Sequence, residues 1–259
     1  MYNVNIIAHR GANKRAPQNT LPAFQKAIDM GTHGFETDVH LSKDGVPVIC
    51  HNYTIDETSN GSGKIEEMTL AELKKYDFGA YFSSEFKGTP LPTLEEFLQL
   101  AQGKGLKILN IELKPESNTA RRETLVRKTL ELVEQYNLSD ILLISSFSKE
   151  ILEYIKQIDP KCKTAFLYPA GYKKATLAFF PPFKAMKKMD CHAAHPHKLC
   201  IRGKFVENAH KNGLEVNVWT VDEAEEIRTM IKAGVDGIIT DCPDRVHQIL
   251  NEMNGYPES

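Results

Sequence analysis

An α/β chain closed into a (β/α)8 barrel, the TIM-barrel arrangement, is what the amino-acid sequence predicts, on three observations. Strand-like and helix-like segments alternate along the chain, the pattern of a parallel sheet with crossover helices. About eight or nine strand segments fall within 259 residues, which favours a closed barrel over an open doubly wound sheet. The pattern contains neither a glycine-rich dinucleotide fingerprint nor a GxxxxGK[ST] phosphate loop.

The elements follow in order. "NVNIIAH" is the first strand, and "NTLPAFQKAIDMG" is a helix ended by Gly31. Asn19 or Thr20 can cap that helix, and Leu21, Phe24, Ala27 and Ile28 form its apolar stripe. "GFETDVHL" and "VPVICHN" flank "SKDG", a hairpin turn. Residues 53 to about 92 break the rhythm, with one short helix candidate, "TLAELKKY". They read as a small insertion after the hairpin that ends at His51, near the strand ends where barrels build active sites. Strand "LKILNIELK", the amphipathic helix "RRETLVRKTLELVEQYN", strand "DILLISSF", helix "KEILEYIKQID" and strand "KTAFLYP" come next. An irregular stretch leads to helix "GKFVENAHKNG", strand "LEVNVWTV", helix "DEAEEIRTMIKAG", strand "VDGIITDCP" and a closing helix, "PDRVHQILNEM". No linker divides the chain. The expected organisation is one domain over residues 1–259, with an inserted subdomain at about 53–92.

The bulk properties exclude some functions. Hydrophobic residues make up 41% and charged residues 25%, with a formal net charge of −2. No basic field invites nucleic acid, and no apolar run approaches the roughly 20 residues that stable membrane insertion needs. No secretory leader pattern is evident. Five scattered cysteines suit reduced thiols, which leads to the expectation of a cytoplasmic protein. "CHAAHPHKLC" matches no zinc spacing and reads as strand and loop packing, with His195 a candidate for the site's rim. In "GYKKATLAFFPPFKAMKKMD", Pro181-Pro182 breaks any long membrane-binding helix, so a loop bordering the active site is expected.

The informative residues are polar ones at strand ends. Side chains alternate along a strand, so Glu36 and Asp38 share one face. Asn110, Glu112 and Lys114 share another. If "SKDG" is the turn, the return strand brings His51 and Asn52 close to Glu36. His9 and Arg10 end the first strand. A single charged residue at a strand end is usually solvated rim, but seven converging at one end of one sheet are costly to bury without a task. Three carboxylates within ~5 Å repel by about 3 kcal/mol per pair at an effective dielectric near 20. Arg10 and Lys114 offset part of this. A divalent cation offsets more, and all-carboxylate ligands point to a hard metal, Mg²⁺ or Ca²⁺. Two histidines beside such a centre suit a general acid and a general base. An anion-binding centre, a hard metal and an acid–base pair suggest phosphoryl chemistry.

These residues resemble the glycerophosphodiester phosphodiesterases, a family of TIM-barrel phosphodiesterases. "AHRG", "PQNTLPAF", "FETDVHLSKDGVPVICHN", "PTLEEFL", "NIELK", "VNVWTVD" and "GVDGIITDCP" match in order across nearly the whole chain. The resemblance implies His9 and His51 as the catalytic pair, and Glu36, Asp38 and Glu112 as ligands of a divalent metal. It implies Arg10 and Lys114 as phosphate contacts, and Trp219 as a wall for the glycerol moiety rather than barrel filling. The substrate implied is a small glycerophosphodiester, cleaved to glycerol 3-phosphate and an alcohol. The alternatives are a phospholipase-type phosphodiesterase or lyase acting on lysophospholipids, and a silent phosphodiester-binding barrel. There is one departure: where the family usually has glutamate, this chain has Gln18. Asp241, after "GIIT", reads as a cap for the last helix.

Overall fold

The computed structural model describes residues 1–169 and 183–255. The strands run in chain order as β1 (Asn5–His9), β2 (Gly34–Leu41), β3 (Pro47–Ile49), β4 (Ile108–Leu113), β5 (Leu142–Ser146), β6 (Lys163–Tyr168), β7 (Ala193–Pro196), β8 (Glu215–Val218) and β9 (Gly237–Thr240). All but β3 form a closed parallel barrel in chain order, and β1 completes the ring by pairing with both β2 and β9. The expected TIM barrel is the observed fold. β3 lies antiparallel on β2 across the predicted hairpin, with Val39 opposite Ile49.

The helices are α1 (Leu21–Asp29), α2 (Leu70–Leu73), α3 (Leu94–Ala101), α4 (Thr119–Gln135), α5 (Lys149–Ile158), α6 (Phe183–Lys188), α7 (Phe205–Lys211), α8 (Ala224–Ala233) and α9 (Pro243–Met253). The starts of α1 to α5 are set by short polar side chains that satisfy otherwise unbonded N–H groups. Thr20 Oγ1 accepts from the Ala23 N–H at the start of α1, so Thr20 rather than Asn19 is the cap. Thr93 and Glu96 form a reciprocal capping box on α3. Between helices and barrel, Phe24, Phe35 and Phe97 pack as one aromatic cluster, with the Phe24 and Phe97 ring centroids 4.5 Å apart. No helix among the described residues is long and apolar enough to cross a membrane. All five cysteines are free thiols.

Residues 53–92 contain α2 and two short 3-10 turns, Ile65–Glu67 and Ser84–Phe86. Ile55, Ile65, Leu73, Phe78 and Leu91 pack with Val48 and Cys50 into a cluster separate from the main core. The Asp77 carboxylate accepts from the N–H groups of Gly79, Ala80 and Gly88. Of the lysine- and phenylalanine-rich stretch, Phe179 and Phe180 lie outside the described residues. Phe183 begins α6 and is buried against Phe205.

The inside of the barrel is partly polar. His195, on β7, is fully buried and belongs to the barrel, not to its rim. Its Nε2 lies 3.0 Å from Asn217 Nδ2. Burial, only weakly opposed by Glu215, pushes the imidazole down to about 3 from its ordinary 6.5. The unfolded chain therefore binds more protons than the folded one between those values, so this residue's contribution to stability falls as pH drops below 6.5. His195→Gln should flatten the loss of stability between pH 6 and 4, by up to about 1.4 kcal/mol per pH unit. Denaturation curves across that range check this, and parallel slopes for the two proteins would contradict it.

Candidate active site

The register of the barrel decides which polar side chains meet. β1 places His9 beside Glu36, and β2 places Asp38 beside Glu112 on β4. With strand alternation, Glu36, Asp38, Glu112 and His9 all face the barrel axis near the C-terminal ends of their strands. The chain turns sharply after β1, where Arg10 has φ 56° and Gly11 φ 80°. A Cβ on Gly11 would collide with the Ala23 backbone, so the turn admits only glycine there.

One carboxylate oxygen from each of Glu36, Asp38 and Glu112 lies within 4.8 Å of the others, and all three side chains are buried. Lys114 Nζ lies 2.7 Å from Asp38 Oδ1 and 2.5 Å from Glu112 Oε1. Arg10 Nε lies 3.2 Å from Asp38 Oδ2, and the Arg10 backbone N–H donates to Glu36 Oε2 at 3.2 Å. Burial opposes ionisation of Asp38, yet Lys114 and then Arg10 hold it well below the usual carboxylate range. Glu36 is pushed well above that range by burial and then by Asp38 and Glu112. Glu112 is pushed up to about 7, mainly by burial. Lys114 is raised by Asp38 and Glu112 against the opposing effect of burial.

With all three carboxylates ionised, they would exceed the two cations by one negative charge in a desolvated space, with Glu36 the least compensated. The donor set is oxygen only, and the three oxygens are close enough to share one ion. These residues fit a hard divalent cation.

Each site residue has a neutral or charged partner behind it. Asn19, at φ 57°, donates from Nδ2 to Asp38 Oδ2 at 2.8 Å and accepts from Thr37 Oγ1 at 3.0 Å. Gln18 Oε1 accepts from Arg10 Nη1 at 2.6 Å, so the amide leaves the guanidinium's charge uncancelled. His51 Nδ1 is 2.6 Å from Asn52 Oδ1, and Asn52 Nδ2 donates to Glu57 at 2.8 Å. An amide oxygen only accepts, so His51 carries its proton on Nδ1 when neutral. Burial lowers the His51 imidazole to about 4. His9 Nδ1 is 2.6 Å from Asp241 Oδ1, and its Nε2 is 3.9 Å from Glu36 Oε2.

His9, Arg10, Glu36, His51, Asn110, Glu112 and Trp219 line one cavity of about 190 Å³, together with Phe147 and Leu167. The Trp219 indole donates to the His195 carbonyl at 2.7 Å and packs edge-on against Phe147. The structure thus brings together all eight residues singled out in the sequence, with Asp38 and Lys114 immediately behind the cavity wall. Sequence reasoning named Asn19, Asn52 and Asp241 but gave none of them a role in orienting the site. The expected capping role of Asp241 is not observed: α9 starts from Cys242 with no side-chain cap hydrogen bond, and the Asp241 carboxylate turns to His9 instead. The adjacency of Asp241 to His9 depends on barrel closure, which no local pattern reports.

Comparison with known proteins gives a consistent picture. The model of the glycerophosphoryl diester phosphodiesterase family matches residues 9–245. The glycerophosphodiester phosphodiesterase of Caldanaerobacter subterraneus subsp. tengcongensis is 37% identical over 247 residues, 95% of this chain and 98% of the relative. That of Bacillus altitudinis is 32% identical, covering 96% and 98%. Among solved structures, an Oleispira antarctica phosphodiesterase in complex with the product sn-glycerol-3-phosphate has a TM-score of 0.86 at 29% identity, covering 95% of this chain and 96% of that one.

Removing Lys114 would leave Asp38 and Glu112 buried without their shared cation. Lys114→Met is expected to cost about 3–5 kcal/mol of stability in metal-free protein, the range for a broken buried pair. Chemical denaturation with chelator present measures it. A loss well under 1 kcal/mol, roughly the scale of an exposed pair, would show that the carboxylates do not depend on this ammonium.

Proposed function

The chain belongs to the glycerophosphoryl diester phosphodiesterase family, and on that premise we propose that it hydrolyses small glycerophosphodiesters to glycerol 3-phosphate and an alcohol, with a divalent metal and two histidines. The observation that carries this reading is a single cavity lined by Glu36, Glu112, Arg10 and two imidazoles, with Asp38 and Lys114 tied to that wall by ion pairs and Asp38 within one ion's reach of the two glutamates. The product bound to the Oleispira antarctica relative supports the substrate class.

Glu36, Asp38 and Glu112 would hold the metal, Mg²⁺ or Ca²⁺, which when bound supplies charge that polarises the phosphate. The ammonium of Lys114 has three N–H groups and gives two directions to Asp38 and Glu112, leaving one for a phosphate oxygen. Arg10 has five N–H groups, gives one from Nη1 to Gln18 with Nε in ion-pair range of Asp38, and retains donors for the same anion. His9 and His51 both have Nδ1 bound to a fixed acceptor, so Nε2 is the nitrogen each offers for proton transfer. One removes the proton of the attacking oxygen, from water or from the neighbouring glycerol hydroxyl. The other delivers a proton to the departing alcohol. Trp219, with Phe147 and Leu167, forms the apolar side of the cavity against which the carbon skeleton of glycerol packs. Residues 53–92 form an inserted subdomain that borders this site: the Tyr81 hydroxyl accepts from the Gln18 N–H at 3.2 Å, next to the amide that holds Arg10.

Two predictions test the reading. Glu36→Gln, Asp38→Asn and Glu112→Gln should each weaken Mg²⁺ or Ca²⁺ binding by more than the roughly 10–100-fold typical of losing an outer-shell partner. Calorimetric titration reads the binding, and chelator should abolish release of glycerol 3-phosphate from glycerophosphocholine. Full turnover in metal-free protein would remove the metal from the mechanism.

The histidines are separated by leaving group. A choline alkoxide needs a proton as it departs, whereas a nitrophenolate does not. Loss of the general acid should cost on the order of 10²–10⁴ in rate with the natural diester and far less with the nitrophenyl diester. Loss of the base should slow both comparably. His9→Ala and His51→Ala should therefore give contrasting patterns across the two substrates. Equal losses on both would argue against divided roles.

A further inference from the structure

His9 leaves β1 and Asp241 leaves β9 at the same level of the barrel, because the register pairs Ala8 with Thr240 one residue earlier. The result is a 2.6 Å contact between His9 Nδ1 and Asp241 Oδ1. The opposite ring nitrogen, Nε2, lies towards Glu36 and the cavity. Asp241 is held from several sides. Its Oδ1 also accepts from Asn13 Nδ2 at 2.7 Å, and that same amide donates to the His9 carbonyl at 2.9 Å. Lys14 Nζ is 3.6 Å from Oδ2. The Asp241 N–H donates to Asp222 Oδ1 at 2.8 Å, and Thr240 Oγ1 donates to the same oxygen at 2.9 Å.

We infer that Asp241 is a positioning residue for His9: it fixes the proton of the neutral imidazole on Nδ1 and so presents Nε2 alone to the reacting phosphate. The reasoning is one of donors and acceptors. A carboxylate accepts and does not donate. Oδ1 already takes an amide N–H from Asn13, so the group facing it across 2.6 Å must be the Nδ1 proton. An imidazole in water prefers no such orientation, and its ring would turn freely at the end of a strand. Here Asn13 binds both the backbone and the carboxylate partner of His9, so ring, partner and turn move as one unit. His51 is fixed on the same nitrogen by the amide of Asn52. Thus both imidazoles meet the cavity through Nε2, the His9 ring backed by a carboxylate and the His51 ring by a neutral amide.

The inference rests on the proposed part of His9 in proton transfer, so the test separates positioning from chemistry. In ¹⁵N-imidazole-labelled protein with Mg²⁺ at alkaline pH, His9 should show a protonated Nδ1 and an unprotonated Nε2. Its resonances are assigned by their loss in His9→Gln. In Asp241→Ala the population should move towards Nε2–H, and kcat should fall by about 10²–10⁴, the range for general acid–base catalysis, with KM little changed. A wild-type ring protonated on Nε2, or an unchanged tautomer in Asp241→Ala, overturns the inference. The wild-type spectrum decides alone if the variant does not fold. A changed tautomer with kcat intact supports positioning by Asp241 and instead removes His9 from the chemistry.

Discussion

Three carboxylates buried within one ion's reach of each other are the constraint around which the rest of this barrel end is organised. Their mutual repulsion, at about 3 kcal/mol per pair for a ~5 Å spacing, has to be met locally, because all three side chains are buried. Lys114 bridges two of them and Arg10 reaches a third direction. Backbone geometry is bent to the same end. Arg10 and Asn19 both occupy the left-handed region, which costs a residue other than glycine about 1–2 kcal/mol. In return, Arg10 meets both Glu36 and Asp38, and Asn19 meets Asp38 from the other side. Strain of this kind persists where the surroundings over-determine it.

Amides recur behind the charged groups, and their neutrality matters. Gln18 orients the Arg10 guanidinium, Asn52 orients the His51 ring and Asn19 orients the Asp38 carboxylate. Each fixes a direction without adding charge to a region already crowded with carboxylates. A glutamate at position 18 would do the same steering but would cancel the charge of a cation paired with Asp38. Asp241 is the exception. It places a full negative charge behind His9, on the far side of the ring from the carboxylate cluster.

Much of this was legible in the sequence because strands have a period of two and the hairpin turn is local. "FETD" and "NIELK" announce inward carboxylates by alternation alone, and "SKDG" returns the chain so that His51 arrives near Glu36. The count and order of strands carried the barrel. What stayed hidden needs three dimensions. Either Asn19 or Thr20 could cap the helix, both being residue types that favour that position; Thr20 takes the cap, and its neighbour is freed for Asp38. His195 is a candidate for the rim in a stretch that reads mainly as strand and loop packing; β7 turns it inward, where burial keeps it neutral. Asp241 looked like a cap because it sits just before a helix. Its partner is 232 residues away, and the two meet only when β1 and β9 close the ring.

That closure has a consequence for synthesis. A growing chain presents His9, Arg10, Glu36, Asp38 and His51 early, and Glu112 and Lys114 well before half its length is made. Those residues already contain the repelling carboxylates. The ring stays open at β1 until β9 has emerged, and long-range pairings of this kind form late because their closure entropy is met before any contact rewards it. A ribosome-bound fragment lacking the last strand therefore carries the charges without the enclosure that arranges them. Competence arrives in a single late event, so a prematurely terminated chain is silent rather than partly active.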